Sequence, residues 1–172
     1  IGNRFVRGDA LPMGINYDLY HNVSQQKNVW KAIERTRLLF GKHKLILSVD
    51  RLDYSKGILH RLYGFASFLE HHPEYHGKVT LAMVIVPSRD HVGSFAELKA
   101  RIDEVIGSIN GRYSTMNWTP VCYFYHGFSF EELAAMYFIA DIALVTPLRD
   151  GMNLVAKEYV AVKQDNPGVL VL

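Results

Sequence analysis

Five stretches of the chain are nearly continuously apolar and rich in β-branched or aromatic residues: Lys44–Val49, Val79–Val86, Val121–His126, Ile142–Thr146 and Gly168–Leu172. Runs of this length without strict alternation suit strands covered on both faces, so they predict a parallel sheet between helical layers. The segments between them carry the helical period instead. Gly57–His71 spaces Leu59, Leu62, Tyr63, Phe65 and Phe68, and Ser94–Ile109 spaces Phe95, Leu98, Ile102, Val105 and Ile109. Such stripes predict helices with one face toward a core. Ser129-Phe130-Glu131-Glu132 opens Ser129–Ile139 as a capping box, with the glutamate three residues after the serine. Leu154–Val162 follows the fourth strand, and a further helix is predicted from about Ser24 to Phe40.

The β-α-β-α alternation predicts an α/β fold with a doubly wound parallel sheet. Residues 24–172 form one lobe, and residues 1–23 form an extended lead-in containing Leu11-Pro12-Met13-Gly14-Ile15-Asn16. No internal repeat or low-complexity stretch interrupts it. The chain opens on Ile1 without an initiator methionine and stops in the apolar run Gly168–Leu172, as expected of a piece of a longer protein.

Composition narrows the class. With 172 residues, 49% of them hydrophobic, 21% charged and a net charge of +2, the chain suits one ordinary globular unit. That balance argues against a nucleic-acid-binding tail. No apolar run approaches the roughly 18 residues of a membrane span. A cytoplasmic protein is therefore expected. The single cysteine, Cys122, leaves no internal disulfide and no cysteine-cluster metal site, and its apolar surroundings make it a strand residue rather than a nucleophile. His71 and His72 precede Pro73 at a helix end, and His60 and His76 lack companions at ligand spacing, so no metal site is expected.

In an open parallel sheet, ligands bind beyond the carboxyl ends of the strands. Those ends deliver Asp50–Gly57, Pro87-Ser88-Arg89, His126-Gly127-Phe128 and Pro147–Asn153. Arg51, Lys56, Arg89 and Arg149 would there line an anion pocket or a solvated rim. After the fourth strand, Gly151 is expected to permit a tight turn. Met152, Asn153 and Leu154 then open a helix whose first N–H groups suit a phosphate. Asp150 could accept from a neutral sugar, and Glu158 from a ribose diol. The same spacing equally suits a helix cap at Asp150 and a solvated Glu158. No Gly-x-Gly-x-x-Gly follows any strand, so a dinucleotide dehydrogenase lacks its phosphate turn. Asp50 and Asp53 stand three apart, not the two that aspartyl phosphatase chemistry needs.

Three blocks carry a resemblance. Leu47-Ser48-Val49-Asp50-Arg51-Leu52-Asp53-Tyr54-Ser55-Lys56-Gly57 resembles the first-strand signature of trehalose-6-phosphate synthases. Ile109-Asn110-Gly111-Arg112-Tyr113, with Trp118-Thr119-Pro120, is similar to the segment before their third strand. The eighteen-residue run from Ala143 to Val160, with Asp150-Gly151-Met152-Asn153-Leu154 at its centre, resembles their donor-site motif nearly residue for residue. The resemblance runs from about Leu11 to Leu172.

It implies one Rossmann-like lobe of a two-lobe, GT-B glycosyltransferase, with residues 1–23 between the lobes. The implied reaction is retaining transfer of glucose from UDP-glucose to glucose 6-phosphate, giving trehalose 6-phosphate and UDP without a metal or cofactor. Arg51 and Lys56 would hold the donor diphosphate, and Asp150, Gly151, Met152, Asn153, Leu154 and Val155 the sugar and diphosphate. Glu158 would meet the ribose, Phe128 would lie beside the uracil, and Arg89 would reach the acceptor phosphate. The catalytic set would be Arg51, Lys56 and Asp150. An N-terminal lobe of the same protein would be the missing partner, so the chain alone is expected to bind donor weakly and turn over negligibly. A homo-oligomer and a fused phosphatase domain stay open as partners. A GT-B enzyme with another donor or acceptor, and a sensing or scaffold homologue without turnover, are the alternatives.

Overall fold

The computed structural model describes residues 7–88, 93–163 and 166–172. Strands β1 (Lys44–Arg51), β2 (Val79–Val86), β3 (Val121–Phe124), β4 (Ile142–Leu144) and β5 (Val169–Val171) form one sheet. All pairings are parallel, and the order is β3-β2-β1-β4-β5. The five strands match the five apolar runs. β1 extends two residues further than the apolar pattern indicates, because Asp50 and Arg51 keep their pairing with Ile85 and Val86. β3 and β4 are shorter, ending at Phe124 and Leu144.

Helix α1 (Tyr17–His21) lies in the lead-in, where no helix is predicted, and Asn16 caps it through its side chain. Helix α2 (Lys27–Phe40) follows a single 3-10 turn at Val23–Gln25. Then come α3 (Ile58–His71), α4 (Gly93–Tyr113), α5 (Phe130–Ile139) and α6 (Leu154–Lys163), each between the strands it was expected to connect. The Ser129 capping box of α5 is formed in full: Ser129 Oγ accepts from Glu132 N, and Glu132 Oε2 accepts from Ser129 N.

The two faces of β2 show why an unalternating strand reads as doubly covered. Ala82 and Val84 join Leu45, Leu47, Ala143 and Val145 beneath α2, α5 and α6. Leu81, Met83 and Ile85 turn the other way, toward α3 and α4. The buried stripe of α3 is Ile58, Arg61, Leu62, Phe65 and Leu69. It is rotated from the expected set, leaving Tyr63 46% exposed. The reason is period: 58, 62, 65 and 69 follow the helical repeat, and the arginine in that stripe obscured it.

The Ile109–Pro120 block proves structural. Asn110 bridges to both main-chain groups of Val121, its Oδ1 accepting at 3.0 Å and its Nδ2 donating at 2.9 Å. Trp118 donates its indole N–H to Val79 O at 2.9 Å. Together they pin the start of β3 beside β2.

Candidate functional site

The strand order reverses between β1 and β4. The chain winds outward from β1 to β3, then crosses back to place β4 on the other side of β1. That switch point opens a crevice at the carboxyl ends of the two strands, where doubly wound sheets bind ligands. The two loops that meet there are Leu52–Gly57 and Val145–Asn153, 94 residues apart at their key contact.

The first loop is a single 3-10 turn, Tyr54–Lys56. Asp53 caps it, its Oδ1 accepting from Ser55 N at 2.8 Å and from Ser55 Oγ at 2.7 Å. Those bonds hold the Asp53 carboxyl below its usual range. Gly57 ends the turn in the left-handed region, at φ 64°. A Cβ there would stand 2.9 Å from Thr146 O, so the turn also needs glycine for its close approach to the end of β4. The second loop docks on the first through Leu148 N and Arg149 N, both donating to Ser55 O, at 2.8 and 3.1 Å.

Above this docking, Lys56 Nζ donates to Asp150 Oδ2 at 2.7 Å, with the two side chains only 14% and 19% exposed. The hydrogen bond from Lys56, followed by that from Asn153, holds the Asp150 carboxyl below its usual range. Beneath it, Arg61 is buried against Asp50 with Nη1 2.5 Å from Oδ2. Its Nη1 also donates to Ser48 Oγ, its Nε to Thr146 Oγ1 at 3.2 Å and its Nη2 to Lys56 O at 3.0 Å. Burial pushes the Asp50 carboxyl up, and the charge and hydrogen bond of Arg61 oppose that shift. Asp50 is thus engaged in a buried ion pair and Asp53 in a turn cap, so neither stands as a nucleophile.

The turn into α6 differs from the expected one in two respects. Asn153 is the cap, its Oδ1 accepting from Ala156 N at 3.0 Å, while its Nδ2 donates to Asp150 Oδ2 at 3.1 Å. Asp150 therefore faces Lys56 and Asn153 rather than capping the helix. Gly151 has no positive φ, and a Cβ on it would meet nothing within 4 Å. The turn here is made by Asn153 holding the helix start, and the strained glycine of the site is Gly57. The N–H groups of Leu154 and Val155 have no acceptor among the described residues, which leaves two donors and the positive helix end toward the crevice.

Glu158 lies one turn into α6, half-buried. Tyr137 of α5 donates its hydroxyl to Glu158 Oε2 at 2.8 Å. Burial, then the Glu158 charge, raises the Tyr137 phenol well above its ordinary value, and the same causes push Tyr20 up to about 12. Met152 is 37% exposed, its sulfur 3.3 Å from Lys157 Nζ, which also donates to Met13 O at 2.7 Å. That contact ties the lead-in to α6.

Arg51 and Arg149 are exposed at the rim. Neither forms a salt bridge among the described residues. Phe128 follows β3, two strands from the switch point, where its ring meets His126 and Phe124 edge-on at 4.7 and 5.2 Å between centroids. It packs on the α2 and α5 side of the sheet, the side that carries Glu158. Arg89 lies outside the described residues. Cys122 is half-buried on β3, and burial pushes its thiol up. His71 and His76 are held by main-chain oxygens of Ser67 and Leu69, both at 2.8 Å. Among the described residues no group of three His, Cys, Asp or Glu side chains could hold a metal ion, and no helix is long and apolar enough to cross a membrane.

Arg61, Asn153 as cap and Tyr137 are the residues of this crevice that sequence reasoning missed. For Arg61 there was a signal, a charged residue set within the apolar stripe of α3. A fully buried charge requires a partner, and Asp50 at a strand end was available.

Known proteins resemble the chain over most of its length. The profile of Glycosyltransferase family 20 matches residues 1–172. A bifunctional trehalose-6-phosphate synthase/phosphatase of Thermoproteus tenax is 46% identical over 172 residues, 100% of this chain and 24% of its own length. The 56 kDa subunit of the UDP-forming α,α-trehalose-phosphate synthase of Saccharomyces cerevisiae is 40% identical over 169 residues, 98% of this chain and 34% of its own length. A crystal structure of the UDP-forming synthase of Burkholderia xenovorans in complex with glucose-6-phosphate superposes with a TM-score of 0.88 at 38% identity, covering 94% of this chain and 35% of that one. An E. coli trehalose-6-phosphate protein bound with UDP-2-fluoro glucose superposes with a TM-score of 0.86 at 38% identity, covering 94% and 36%. The chain thus spans about a quarter to a third of the length of these relatives. The match over its whole length and the shared fold place it: the chain belongs to glycosyltransferase family 20.

Proposed function

We propose that this chain is the donor-binding lobe of a retaining, GT-B glucosyltransferase that moves glucose from UDP-glucose to glucose 6-phosphate, forming trehalose 6-phosphate and UDP. The observation that carries the proposal is the junction of Lys56 with Asp150 at the switch point, beside the open N–H groups of α6. A cation, a carboxylate and a helix start meet where a nucleotide sugar would present a diphosphate and a hydroxylated ring. The ligands named for the relatives fit that chemistry, glucose-6-phosphate in one and UDP-2-fluoro glucose in another.

In this proposal Arg51, Lys56 and the N–H groups of Leu154 and Val155 hold the diphosphate and stabilise the charge that grows on it as the bond to glucose breaks. Asp150, with Gly151, Met152 and Asn153, receives the sugar hydroxyls. Glu158 receives the ribose, Phe128 lies beside the uracil, and Arg89 takes the acceptor phosphate as a bidentate donor. The acceptor hydroxyl attacks the anomeric carbon from the face the diphosphate leaves, and its proton passes to a departing phosphate oxygen. The protein's contribution is position and charge stabilisation. No metal is assigned a role, so activity is expected to survive EDTA.

A donor panel on the intact protein, with glucose 6-phosphate as acceptor, tests the reading. UDP release should depend on UDP-glucose and on the acceptor, and Arg89→Ala should raise the acceptor Michaelis constant. An unchanged acceptor constant in Arg89→Ala would remove the glucose 6-phosphate assignment. The 172-residue chain alone is expected to show weak UDP binding by calorimetry and negligible turnover.

A further inference from the structure

The most completely bonded side chain near the crevice is Arg61, which no part of the proposed donor chemistry uses. Its side chain is 1% exposed and that of Asp50 is 5% exposed. Every partner of its guanidinium lies at the carboxyl end of β1 or β4 or in the turn between β1 and α3. Nη1 reaches Asp50 and Ser48 of β1, Nε reaches Thr146 beyond β4, and Nη2 reaches the carbonyl of Lys56. Resting on the donor-site reading above, we infer that Arg61 is a positioning residue for that site: it fixes the main chain of Lys56 and locks the turn against the end of β4, so that Lys56 Nζ is aimed before the diphosphate arrives.

Charge alone does not explain the arrangement. Asp50 neutralises Arg61, so the pair adds no net charge to the crevice. A buried ion pair is also no better for stability than apolar residues of similar volume. What the fork adds is direction, because its planar N–H groups reach two strands and one turn at fixed angles. A lysine at the same place could keep the charge and the contact to Asp50, but it has a single nitrogen and could not hold Thr146 and Lys56 O together. The turn it steadies is already narrow. Gly57 leaves no room for a Cβ beneath Thr146 O, and Ser55 O receives both Leu148 N and Arg149 N. A shift of the Lys56 carbonyl therefore moves the platform on which Lys56 and Asp150 both stand.

The test is a double-mutant cycle in the intact protein with UDP-glucose and glucose 6-phosphate. Arg61→Lys should lower kcat by about 10- to 100-fold, the range expected when a catalytic contact is displaced by about 1 Å. Thermal unfolding should report a folded protein. In a Lys56→Ala background the same change should cost less than about threefold, because the group it positions is gone. An equal loss in both backgrounds, or an unchanged kcat in Arg61→Lys, would overturn the inference and leave Arg61 as a core ion pair. If Arg61→Lys does not fold, Thr146→Val, which removes only the Nε acceptor, carries the cycle under the same criterion. Failure of the donor-site reading itself looks different: wild type would not release UDP from UDP-glucose, or Lys56→Ala would be as active as wild type.

Discussion

Lys56 and Asp150 stand 94 residues apart in sequence, yet Lys56 Nζ lies 2.7 Å from Asp150 Oδ2. Each is the other's counter-ion in this structure. In the proposed function the two have different ligands, a diphosphate for the lysine and a sugar hydroxyl for the carboxylate. Donor binding must then exchange one charge-assisted contact for two.

This exchange gives the first prediction, because UDP carries the diphosphate without the sugar. Lys56→Ala should weaken UDP binding by about 10- to 100-fold, the worth of one hydrogen bond to a charged group. Asp150→Ala should leave UDP binding equal or tighter, since it frees Lys56, while UDP-glucose turnover falls steeply. Calorimetry with UDP and a UDP-release assay separate the two effects. Parallel losses of UDP affinity in both variants would count against the exchange.

Two glycines at the site should behave oppositely. Gly57 sits at φ 64° with Thr146 O 2.9 Å from any added Cβ. Gly57→Ala therefore meets both a left-handed backbone and a main-chain clash, and should cost about 1–3 kcal/mol in urea unfolding. Gly151 has open space around its Cβ position and an ordinary φ. Gly151→Ala should change stability by less than about 0.5 kcal/mol. Equal costs at the two positions would contradict the assignment of the strained turn to Gly57.

That contrast marks where the sequence was legible. Unbroken apolar runs marked all five strands, and the capping box of α5 was visible in four residues. The run at β5 was expected to be covered on both faces, yet it lies at the sheet edge with Val169 and Val171 exposed. Strand order is different: it depends on which edge β4 joins, and no local pattern encodes that. The adjacency of β1 and β4 converts two separate loops, each ambiguous alone, into one site. The same gap left Asp150 open between a sugar acceptor and a helix cap. Beside a helix start, an aspartate reads as a cap until its tertiary partner Lys56 is in place and Asn153 is found bonding Ala156 N. Arg61 was obscured for a related reason, since pattern reading counts apolar positions and passes over a charged residue buried with a long-range partner.

A third prediction concerns the far end of the crevice. Tyr137 is fully buried, and its hydroxyl donates to Glu158 Oε2 at 2.8 Å. One carboxylate oxygen is thereby fixed, and in the proposed function the carboxylate receives the ribose. Tyr137→Phe removes that donor without changing the ring. UDP affinity should fall by about 3- to 10-fold, corresponding to a hydrogen bond of about 1 kcal/mol. Binding of 2′-deoxy-UDP should fall less, because it lacks one of the hydroxyls that Glu158 would receive. An identical loss for both nucleotides would detach Tyr137 from ribose recognition.

The last prediction follows from the depressed carboxyl of Asp150. The hydrogen bond from Lys56 is the largest cause of the shift, and the bond from Asn153 adds to it. A carboxylate held below its unfolded value releases its proton more readily in the folded state. It stabilises the fold at pH above the unfolded value of about 3.9, and loses that contribution as pH falls toward the folded one. Asp150→Asn removes the titration while keeping the size of the side chain. The stability gap between wild type and Asp150→Asn should therefore be widest near pH 6 and close as the pH is lowered past 4. Lys56→Met should narrow the same gap at neutral pH, because without the ammonium group the carboxylate loses its main stabilising partner. Urea midpoints for the variants across this range measure it directly. A gap that stays constant with pH, or persists in full without Lys56, would show that Asp150 supports the fold through something other than its charge.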